Sequence, residues 1–530
     1  MANDYVITPD SDIYLLKCPL EKDSRHQLNF SNVNTQHNYF NGLTKVLMDD
    51  ATYMRQNNRL YFEGSLDDYI TYNYCMYKNN GYSNKWFYAY ISNMRYESNN
   101  SFSCQLITDV YQTWQFDFTL KRSFIERSHV AKTTDTLGTY TVPEQLETGE
   151  YKCNGEYKGD GSEYEDTRWH LRIIVGSTYN LASSGSWSVG NMYTGVYSGI
   201  PYYQWALSQD ANLSTTLSNL SQEVAQSSIQ TIFLAPDWVV EYYDNSHYVN
   251  RGTSAKIIDI KVPVVNTVDG YTPKNTKVLQ YPYVYLDASN GNGGNCIYHV
   301  EKFYNTDYAN YYTFRCYGVL VPGCSIRMIP KYYNGLEVNN DEGLTLGKYP
   351  QLSWSTDQYT NWLTQNGVNI GISTTGGIIK TGIGILSLTN PETAVLGAGM
   401  IGGGLRDITD TVNEVYQHSL VPPQAEGNLN SGDVSTTIGY NRFRIKRMTI
   451  RQEYAKIIDN FFEMYGYKLN TVAVPNTTSR SKWNYIKCID VNMTGDIPED
   501  DLEKLKELYN NGFTIWHDTS HFMDYSQTNS

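Results

Sequence analysis

The composition of this chain changes abruptly between Gln358 and Leu405. That stretch holds only two charged residues, Lys380 and Glu392, and is dense in glycine interleaved with Ile, Leu and Val. An Asn-Pro-Glu turn at residues 390–392 divides it into two apolar arms of about a dozen residues, whereas a membrane-spanning helix needs about 20. Glycine costs up to about 1 kcal/mol per residue relative to alanine inside a helix, which also disfavours a buried core helix. The stretch is therefore predicted to be a loop-like insertion.

The rest of the chain has the residue types of β-sheets. Tyrosine occurs 48 times among 530 residues, and Tyr and Thr favour pleated, half-buried surfaces. Alternation of apolar and polar residues predicts strands at 59–63 and 69–74. Two aromatic-rich runs, 86–96 and 102–118, are separated by a polar turn at 98–101. Such spacing is typical of a β-sandwich or barrel, so the predicted fold class is mainly β with a few helices, plus the long apolar Gly-rich loop insertion.

Three of the predicted helices have a marked apolar face. The first helix is predicted near residues 211–229, with one face made of Leu213, Leu217, Leu220 and Val224. The second is predicted to stop at Gly466, with one face made of Ile450, Tyr454, Ile457, Ile458, Phe461 and Tyr465. The third is predicted to run from a cap at Asp496 to Asn511, with Leu502, Leu505 and Leu508 inward and Gly512 as the stop.

Further strands and one loop complete the prediction. Residues 133–165 are polar and Gly-rich and are predicted to form a loop, followed by a strand at 170–175. Strands are predicted to resume at Thr231. A basic strand is predicted at 442–450, and a closing strand at 513–517.

The net charge of −14 argues against a surface that grips a phosphate backbone, because such binding needs clustered Lys and Arg. It is compatible with a protein through which DNA passes. The eight cysteines are scattered without a C-x-x-C or zinc-like spacing, so we expect reduced, mostly buried thiols. The N-terminus lacks the basic and apolar regions of a signal peptide, so secretion is not expected.

The sequence has no motif with the residues and spacing of enzyme or metal chemistry. The triplet 402–404 (Gly-Gly-Gly) lacks the Lys of a phosphate-binding loop, and no His-Glu-x-x-His occurs. Residues 287–295 have a faint calcium-loop character but lack the alternating acidic ligands. A Cys153–His170 nucleophile pair rests on residue type alone. We therefore predict no catalytic, cofactor-binding or metal site.

Two charged groups leave alternatives open. Glu163, Glu165 and Asp166 could act as paired acids on cell-wall sugars, although a solvated acidic patch is favoured. Alternation in the basic strand puts Arg442, Arg444 and Lys446 on one face. That face could touch DNA, although a subunit-interface or solvent role is favoured.

Six short segments near the two ends of the chain carry a family resemblance. They are 84–90 (NKWFYAY), 109–114 (DVYQTW), 123–130 (SFIERSHV), 461–467 (FFEMYGY), 495–497 (GDI) and 511–517 (NGFTIWH). In order and spacing they resemble the tail-knob (distal tail tube) proteins of small short-tailed bacteriophages of Gram-positive bacteria. The clear similarity covers roughly the first 130 and the last 90 residues.

The resemblance implies a mostly β virion protein, made in the host cytoplasm, that assembles as a hexameric tube continuing the phage tail. Its partners would be upper tail or collar proteins, a tail-tip protein, the host cell membrane and phage DNA passing through the lumen. In that family a long apolar loop of each subunit plugs the tube and then penetrates the membrane. The residues predicted to contact membrane are Ile378, Ile379, Ile383, Ile385, Leu386, Leu388, Val395, Leu396, Met400, Ile401 and Leu405.

Four domains are predicted on this basis. They are an N-terminal tube β domain at 1–135, a middle β-rich region at 136–350, the membrane-active loop at 351–430, and a C-terminal α/β segment at 431–530 that packs back on the N-terminal domain. Two other classes of protein remain as alternatives: a cell-envelope-degrading tail enzyme, and a secreted pore-forming protein.

Overall fold

Strands make up most of the regular structure. The structure, a computed structural model, describes residues 11–48, 58–79, 85–158, 171–177, 192–193, 196–197, 202–206, 229–240, 256–291, 293–304, 310–320, 324–334, 343–346, 349, 351–353 and 442–530. The strands are β1 Ser11–Leu16, β2 His26–Leu28, β3 Lys45–Met48, β4 Arg59–Glu63, β5 Tyr74–Asn79, β6 Trp86–Ser98, β7 Ser101–Thr108, β8 Phe118–Leu120, β9 Ser123–Ser128, β10 Tyr151–Tyr157, β11 Leu171–Ser177, β12 Met192–Tyr193, β13 Val196–Tyr197, β14 Tyr202–Ala206, β15 Ile229–Pro236, β16 Lys256–Pro263, β17 Val284–Ser289, β18 Asn295–Tyr298, β19 Tyr311–Val319, β20 Ser325–Pro330, β21 Leu344–Leu346, β22 Gln351–Ser353, β23 Arg444–Ile450, β24 Tyr467–Ala473, β25 Trp483–Ile489, β26 Met493–Gly495 and β27 Phe513–Trp516. The α-helices within the described residues are α1 Val33–Gly42, α2 Leu66–Tyr69, α3 Val110–Trp114, α4 Gln452–Tyr465 and α5 Glu499–Asn511. This content confirms the predicted fold class.

The chain divides into two compact units. Unit 1 consists of Met1–Glu147, Tyr271–Leu279 and Gln452–Ser530, and unit 2 consists of Thr148–Gly270 and Gln280–Arg451. Unit 1 thus contains both ends of the chain and one short segment from its middle.

Unit 1 is built on two larger sheets. The first has the strand order β3-β1-β5-β6-β7-β4 and is antiparallel throughout. The second has the order β2-β27-β25-β9-β24, in which only the β2–β27 pair is parallel. The N-terminal strands β2 and β9 therefore share one sheet with three C-terminal strands.

The larger apolar core of unit 1 joins these sheets with two helices. It includes Ile13 and Phe102 from the first sheet, Ile486 from the second, and Leu505 from α5. Burying each side chain of this size contributes about 1.5–3 kcal/mol. A hydrogen bond also links α3 to α5, since the indole N–H of Trp114 donates to a carboxylate oxygen of Asp501 at 2.9 Å.

The described residues of unit 2 form three four-stranded antiparallel sheets. Their strand orders are β10-β23-β17-β18, β14-β11-β15-β22 and β16-β19-β20-β21, and β12 pairs with β13. The central strands β11 and β17 have buried apolar residues such as Ile174, Val175 and Leu286. The hairpin between β17 and β18 occupies the stretch with the faint calcium-loop character.

Several predicted elements are confirmed. These are the strands at 59–63, 86–96 and 442–450, the turn at 98–101, the closing strand, and the helix that stops at Gly466. The strand predicted at 170–175 is found slightly later, at Leu171–Ser177. The helix predicted near 211–229 lies outside the described residues except for Ile229, which begins β15.

Three strand or loop predictions in the N-terminal part are wrong. The run 69–74 ends one short helix and precedes β5, because Asp67 and Asp68 favour a helix N-terminus. The run 102–118 is interrupted by α3, which the side chain of Asp109 caps by accepting from the Gln112 amide at 3.1 Å. The loop predicted at 133–165 contains β10, whose alternation is obscured by a bulge at Gly155.

Two helix predictions need correction in the C-terminal part. In α4 the buried residues include Ala455, Ile458, Asp459 and Phe462. Ile458 is therefore buried as predicted, whereas Ile457 is 66% exposed, and Ile450 is the last residue of β23 rather than part of the helix. The predicted apolar face is rotated because polar bonds, rather than apolar packing alone, hold this helix. The cap of α5 is Pro498 rather than Asp496, and Leu502 and Leu508 are only half-buried beside Leu505. No helix in the described ranges is long and apolar enough to cross a membrane.

Candidate functional site: the attachment of the apolar insertion and the polar hub of unit 1

The insertion itself lies outside the described residues, and so do all the residues predicted to contact membrane. The structure describes the strands on either side of residues 354–441. Both of these strands, β22 and β23, belong to unit 2.

The strand before the insertion, β22, is short. It pairs on one side with β15, with Ser353 opposite Thr231 and Gln351 opposite Phe233. It is the last strand of its sheet within the described residues. Just before it, Leu346 and Tyr349 are buried. The chain therefore leaves for the insertion from a three-residue edge strand.

The strand after the insertion, β23, is longer and central. It pairs with β10 on one side and β17 on the other. Phe443 and Ile445 are fully buried. Arg447 is also buried, and its guanidinium donates to the carbonyls of Val265 at 3.1 Å and Thr267 at 2.7 Å. Burial lowers the pKa of this guanidinium below its ordinary value, and the two carbonyls accept hydrogen bonds from its Nη2.

The basic face of β23 is opposed by acids on its neighbours. The guanidinium of Arg444 is 3.2 Å from the carboxylate of Glu156 on β10. Lys446 lies opposite Glu156 in one pairing and opposite Asp287 in the other. Arg444 is thus paired with a carboxylate of its own unit and Lys446 lies opposite two acidic residues, which favours a role for this face within the protein over a DNA contact.

The described structure does not bring together the Cys153–His170 pair or the three acidic residues at 163, 165 and 166. Cys153 is exposed, and its thiol contacts the carbonyl of Gly155 at 3.4 Å. His170 and the acids at 163, 165 and 166 lie outside the described residues. No group of three potential metal-ligating side chains is found where the structure describes the chain.

Unit 1 contains a buried polar hub that the sequence did not reveal. Its centre is Asp459 of α4, which is fully buried. The carboxylate accepts from the Tyr271 hydroxyl at 2.7 Å and from the Lys274 amide at 2.7 Å. It also accepts from the backbone amide of Asn275 at 3.0 Å and its side-chain amide at 2.8 Å. One side chain thereby fixes the segment Tyr271–Leu279 on α4.

Two more carboxylates hold the same segment. Glu144 binds the side chains of Arg127 and Lys277 and accepts from the Lys468 amide at 2.9 Å. Asp135 accepts from the Tyr467 hydroxyl at about 3.0 Å and from the Thr276 amide at 3.2 Å. Because each buried charge has an opposite charge or several donors, the hub avoids the cost of unpaired buried ions.

A buried histidine completes the hub. The Tyr485 amide donates to Nδ1 of His129 at 2.6 Å, so the proton of the neutral ring lies on Nε2, which donates to the Glu463 carbonyl at 3.0 Å. Burial, reinforced by the nearby charge of Arg480, lowers the pKa of His129 to about 3. The helix also carries Glu453, Lys456 and Asn460, so the spacing of Asp459 and Glu463 gave no distinct sequence signal for the hub.

One prediction concerns pH. Between pH values of about 6.5 and about 3, the unfolded chain binds a proton at His129 that the folded chain does not bind. The free energy of unfolding should therefore fall as the pH drops through this window, by up to about 1.4 kcal/mol per unit. His129→Asn keeps an acceptor for the Tyr485 amide and should reduce this dependence. Urea unfolding at about pH 7 and about pH 4.5 measures the change in the free energy of unfolding between the two pH values. An equal change in the wild type and in His129→Asn would contradict the prediction.

Two parts of the chain match families of phage tail proteins. Residues 245–530 match the family described as Bacillus phage phi29, Tail knob protein gp9, C-terminal domain. Residues 10–119 match the Caudoviral major tail protein N-terminus. The chain therefore belongs to the phage tail knob protein gp9 family, which confirms the resemblance found from the sequence.

Individual relatives agree with this assignment. Tail knob protein gp9 of Bacillus phage B103 is 24% identical, with 97% of each chain covered. The protein of the same name from Bacillus phage phi29 is 25% identical over the same share of each chain. The solved structure of the bacteriophage C1 tail knob protein, gp12, matches with a TM-score of 0.65 at 13% identity, covering 97% of this chain and 98% of that chain. At that identity the structural match shows the fold alone.

Proposed function

We propose that this tail protein forms the distal tube and knob of a short phage tail, as a ring of six copies through which the genome is ejected. The matched tail-protein family at residues 10–119 and the shared name of the relatives support this role. The protein acts without catalysis and contacts upper tail or collar proteins and a tail-tip protein in the virion. DNA passes through the lumen without sequence-specific binding, in keeping with the net charge of −14.

We further propose that the apolar insertion plugs the tube and then penetrates the host membrane. The observation that carries this proposal is a stretch with two charges between Gln358 and Leu405, attached at both ends to strands of unit 2. Ten Ile, Leu and Val side chains contribute roughly −3 to −6 kcal/mol on an insertion scale, while Lys380 at mid-depth costs about 2.5–3.5 kcal/mol. One copy is therefore marginal, and six copies held on one ring gain by effective concentration.

A vesicle-leakage assay tests the membrane role. Dye release by the purified protein should fall at least about tenfold in Ile383→Asp/Ile385→Asp, since each charge at mid-depth costs about 2.5–3.5 kcal/mol. The matched variant Ile383→Val/Ile385→Val keeps both side chains apolar and should release dye like the wild type. Leakage that is unchanged after deletion of residues 370–405 would reject the proposal. Release of soluble sugars from purified cell walls would instead favour the cell-envelope enzyme.

A further inference from the structure

The strand that follows the apolar insertion is joined along the chain to the polar hub of unit 1. β23 ends at Ile450 and α4 begins at Gln452, with only Arg451 between them. Asp459, the centre of the hub, belongs to α4. The insertion precedes the other end of β23, which begins at Arg444. A single strand of seven residues thus separates the insertion from the hub along the chain.

Both neighbours of β23 are also connected to the hub by short lengths of chain. β10 begins at Tyr151, shortly after the hub residue Glu144. β17 begins at Val284, shortly after the segment Tyr271–Leu279 that the hub holds. The first residues of these two strands lie opposite the last two residues of β23. All three connections therefore enter the sheet at the same end, and the insertion leaves β23 at the other end.

Hydrogen bonds close the end of the sheet where the three connections begin. The Ile450 amide donates to the Tyr283 carbonyl at 3.0 Å, and the Arg451 amide donates to the Glu150 carbonyl at 3.2 Å. The side chains of Arg451 and Glu150 also form an ion pair at 2.8 Å, but both are more than half exposed and such pairs contribute little. The backbone bonds are therefore the ones that keep this end of the sheet closed.

The hub bonds the same three connections to one another. Asp459 accepts from the backbone amide of Asn275 at 3.0 Å and from its side-chain amide at 2.8 Å, which joins α4 to the segment Tyr271–Leu279. Lys277 of that segment forms an ion pair with Glu144, and both side chains are buried. Burial shields this pair from the salt that weakens exposed pairs. Sheet and hub together thus close the chain into two loops.

We propose that the hub controls how firmly β23 holds the downstream end of the insertion. A strand end opens more readily when the chain beyond it is free, because a free chain gains more conformational entropy on opening than a fixed chain does. While the hub is intact, its bonds fix the chain beyond β10, β23 and β17. When Asp459 or Glu144 loses its partners, the three strands open from the hub end and β23 loosens. The consequence for membrane penetration rests on the proposed function of the insertion, whereas the effect on β23 does not.

Hydrogen exchange followed by mass spectrometry tests the proposal on the full chain. Asp459→Asn keeps the shape of the side chain but turns an amide N–H toward groups that donate to the carboxylate. The peptide 444–451 should then exchange at least about tenfold faster than in the wild type. Lys277→Met breaks the second link of the hub and should give the same pattern. The matched control Asn460→Ala changes an exposed neighbour in the same helix and should leave the exchange of this peptide unchanged.

A second control separates the hub from the general stability of unit 1. Leu505 of α5 is fully buried in the larger apolar core of that unit, so Leu505→Ala weakens the unit while the bonds of Asp459 remain. Thermal melts check that the variant is folded at the temperature of the measurement, and its peptide 444–451 should exchange like the wild type. Equal exchange of this peptide in the wild type and Asp459→Asn, or equally fast exchange in Asp459→Asn and Leu505→Ala, overturns the proposal.

Dye release from vesicles of phosphatidylethanolamine and phosphatidylglycerol tests the consequence for the membrane. Asp459→Asn should release dye at a lower protein concentration than the wild type, because its insertion is held less firmly, and Asn460→Ala should not. Faster exchange of the peptide 444–451 without any change in dye release overturns the control of the insertion by the hub. A wild type that releases no dye overturns the proposed membrane role instead, and the exchange experiment still decides whether the hub acts on β23.

Discussion

Replacing Asp459 with alanine is expected to lower the free energy of unfolding by about 3–5 kcal/mol. The carboxylate accepts four hydrogen bonds from Tyr271, Lys274 and Asn275. Without it these buried donors are left unsatisfied, and each such donor costs about 1–3 kcal/mol, with incomplete additivity. Urea unfolding followed by circular dichroism, at a fixed protomer concentration, measures the loss.

The control for this prediction is the next residue of the same helix. Asn460 is exposed, so Asn460→Ala should change the free energy of unfolding by no more than about 0.5 kcal/mol. Asp459→Asn should lie between the two, because it keeps one acceptor oxygen. Equal stability of Asp459→Ala and Asn460→Ala would show that the hub does not hold Tyr271–Leu279.

The second large effect is expected at Gly466, where α4 turns into β24. Its φ is +65°, and an added Cβ would lie closer than 3.0 Å to the backbone of Ser128 and His129. These backbone atoms lie at the end of β9, which is paired with a strand on each side, so they cannot move without disturbing the sheet. Gly466→Ala should therefore cost more than the roughly 1 kcal/mol of the left-handed conformation alone, about 3 kcal/mol or more.

Gly270 provides the matched control for this substitution. It also has a left-handed φ, of +82°, but an added Cβ would meet nothing within 4 Å. Gly270→Ala should therefore lose only about 1 kcal/mol. Thermal unfolding of both variants separates the conformational cost from the steric one. A midpoint for Gly466→Ala equal to that of Gly270→Ala would refute the steric argument.

Local patterns predicted the strands well where alternation was undisturbed. Residues 59–63 alternate clearly and form β4, and Gly466 and Gly512 end their helices as expected. The predictions were wrong where a side chain acts on the backbone. Asp109 caps α3 within an aromatic run, and the bulge at Gly155 hides β10 inside a polar stretch.

The hub could not be predicted because its partners are far apart in sequence. Asp459 binds residues more than 180 positions away, and no local periodicity reports such pairs. The apolar pattern of α4 even suggested a different face, with Ile457 inward. The insertion was recognisable from composition alone, since its glycine content and scarcity of charge need no partner to be seen. Its role and the four domain limits stay predictions.

The unequal anchors of the insertion have a mechanical consequence. A pull on both ends would be resisted on one side by β22, a three-residue strand that has one paired neighbour among the described residues. On the other side it would be resisted by β23, a seven-residue strand paired on both sides. The short strand would peel away first and would lengthen its tether by about 3.3 Å for each residue released. The insertion would thus gain length at its upstream end only, while β23 stays paired and keeps the downstream end in place.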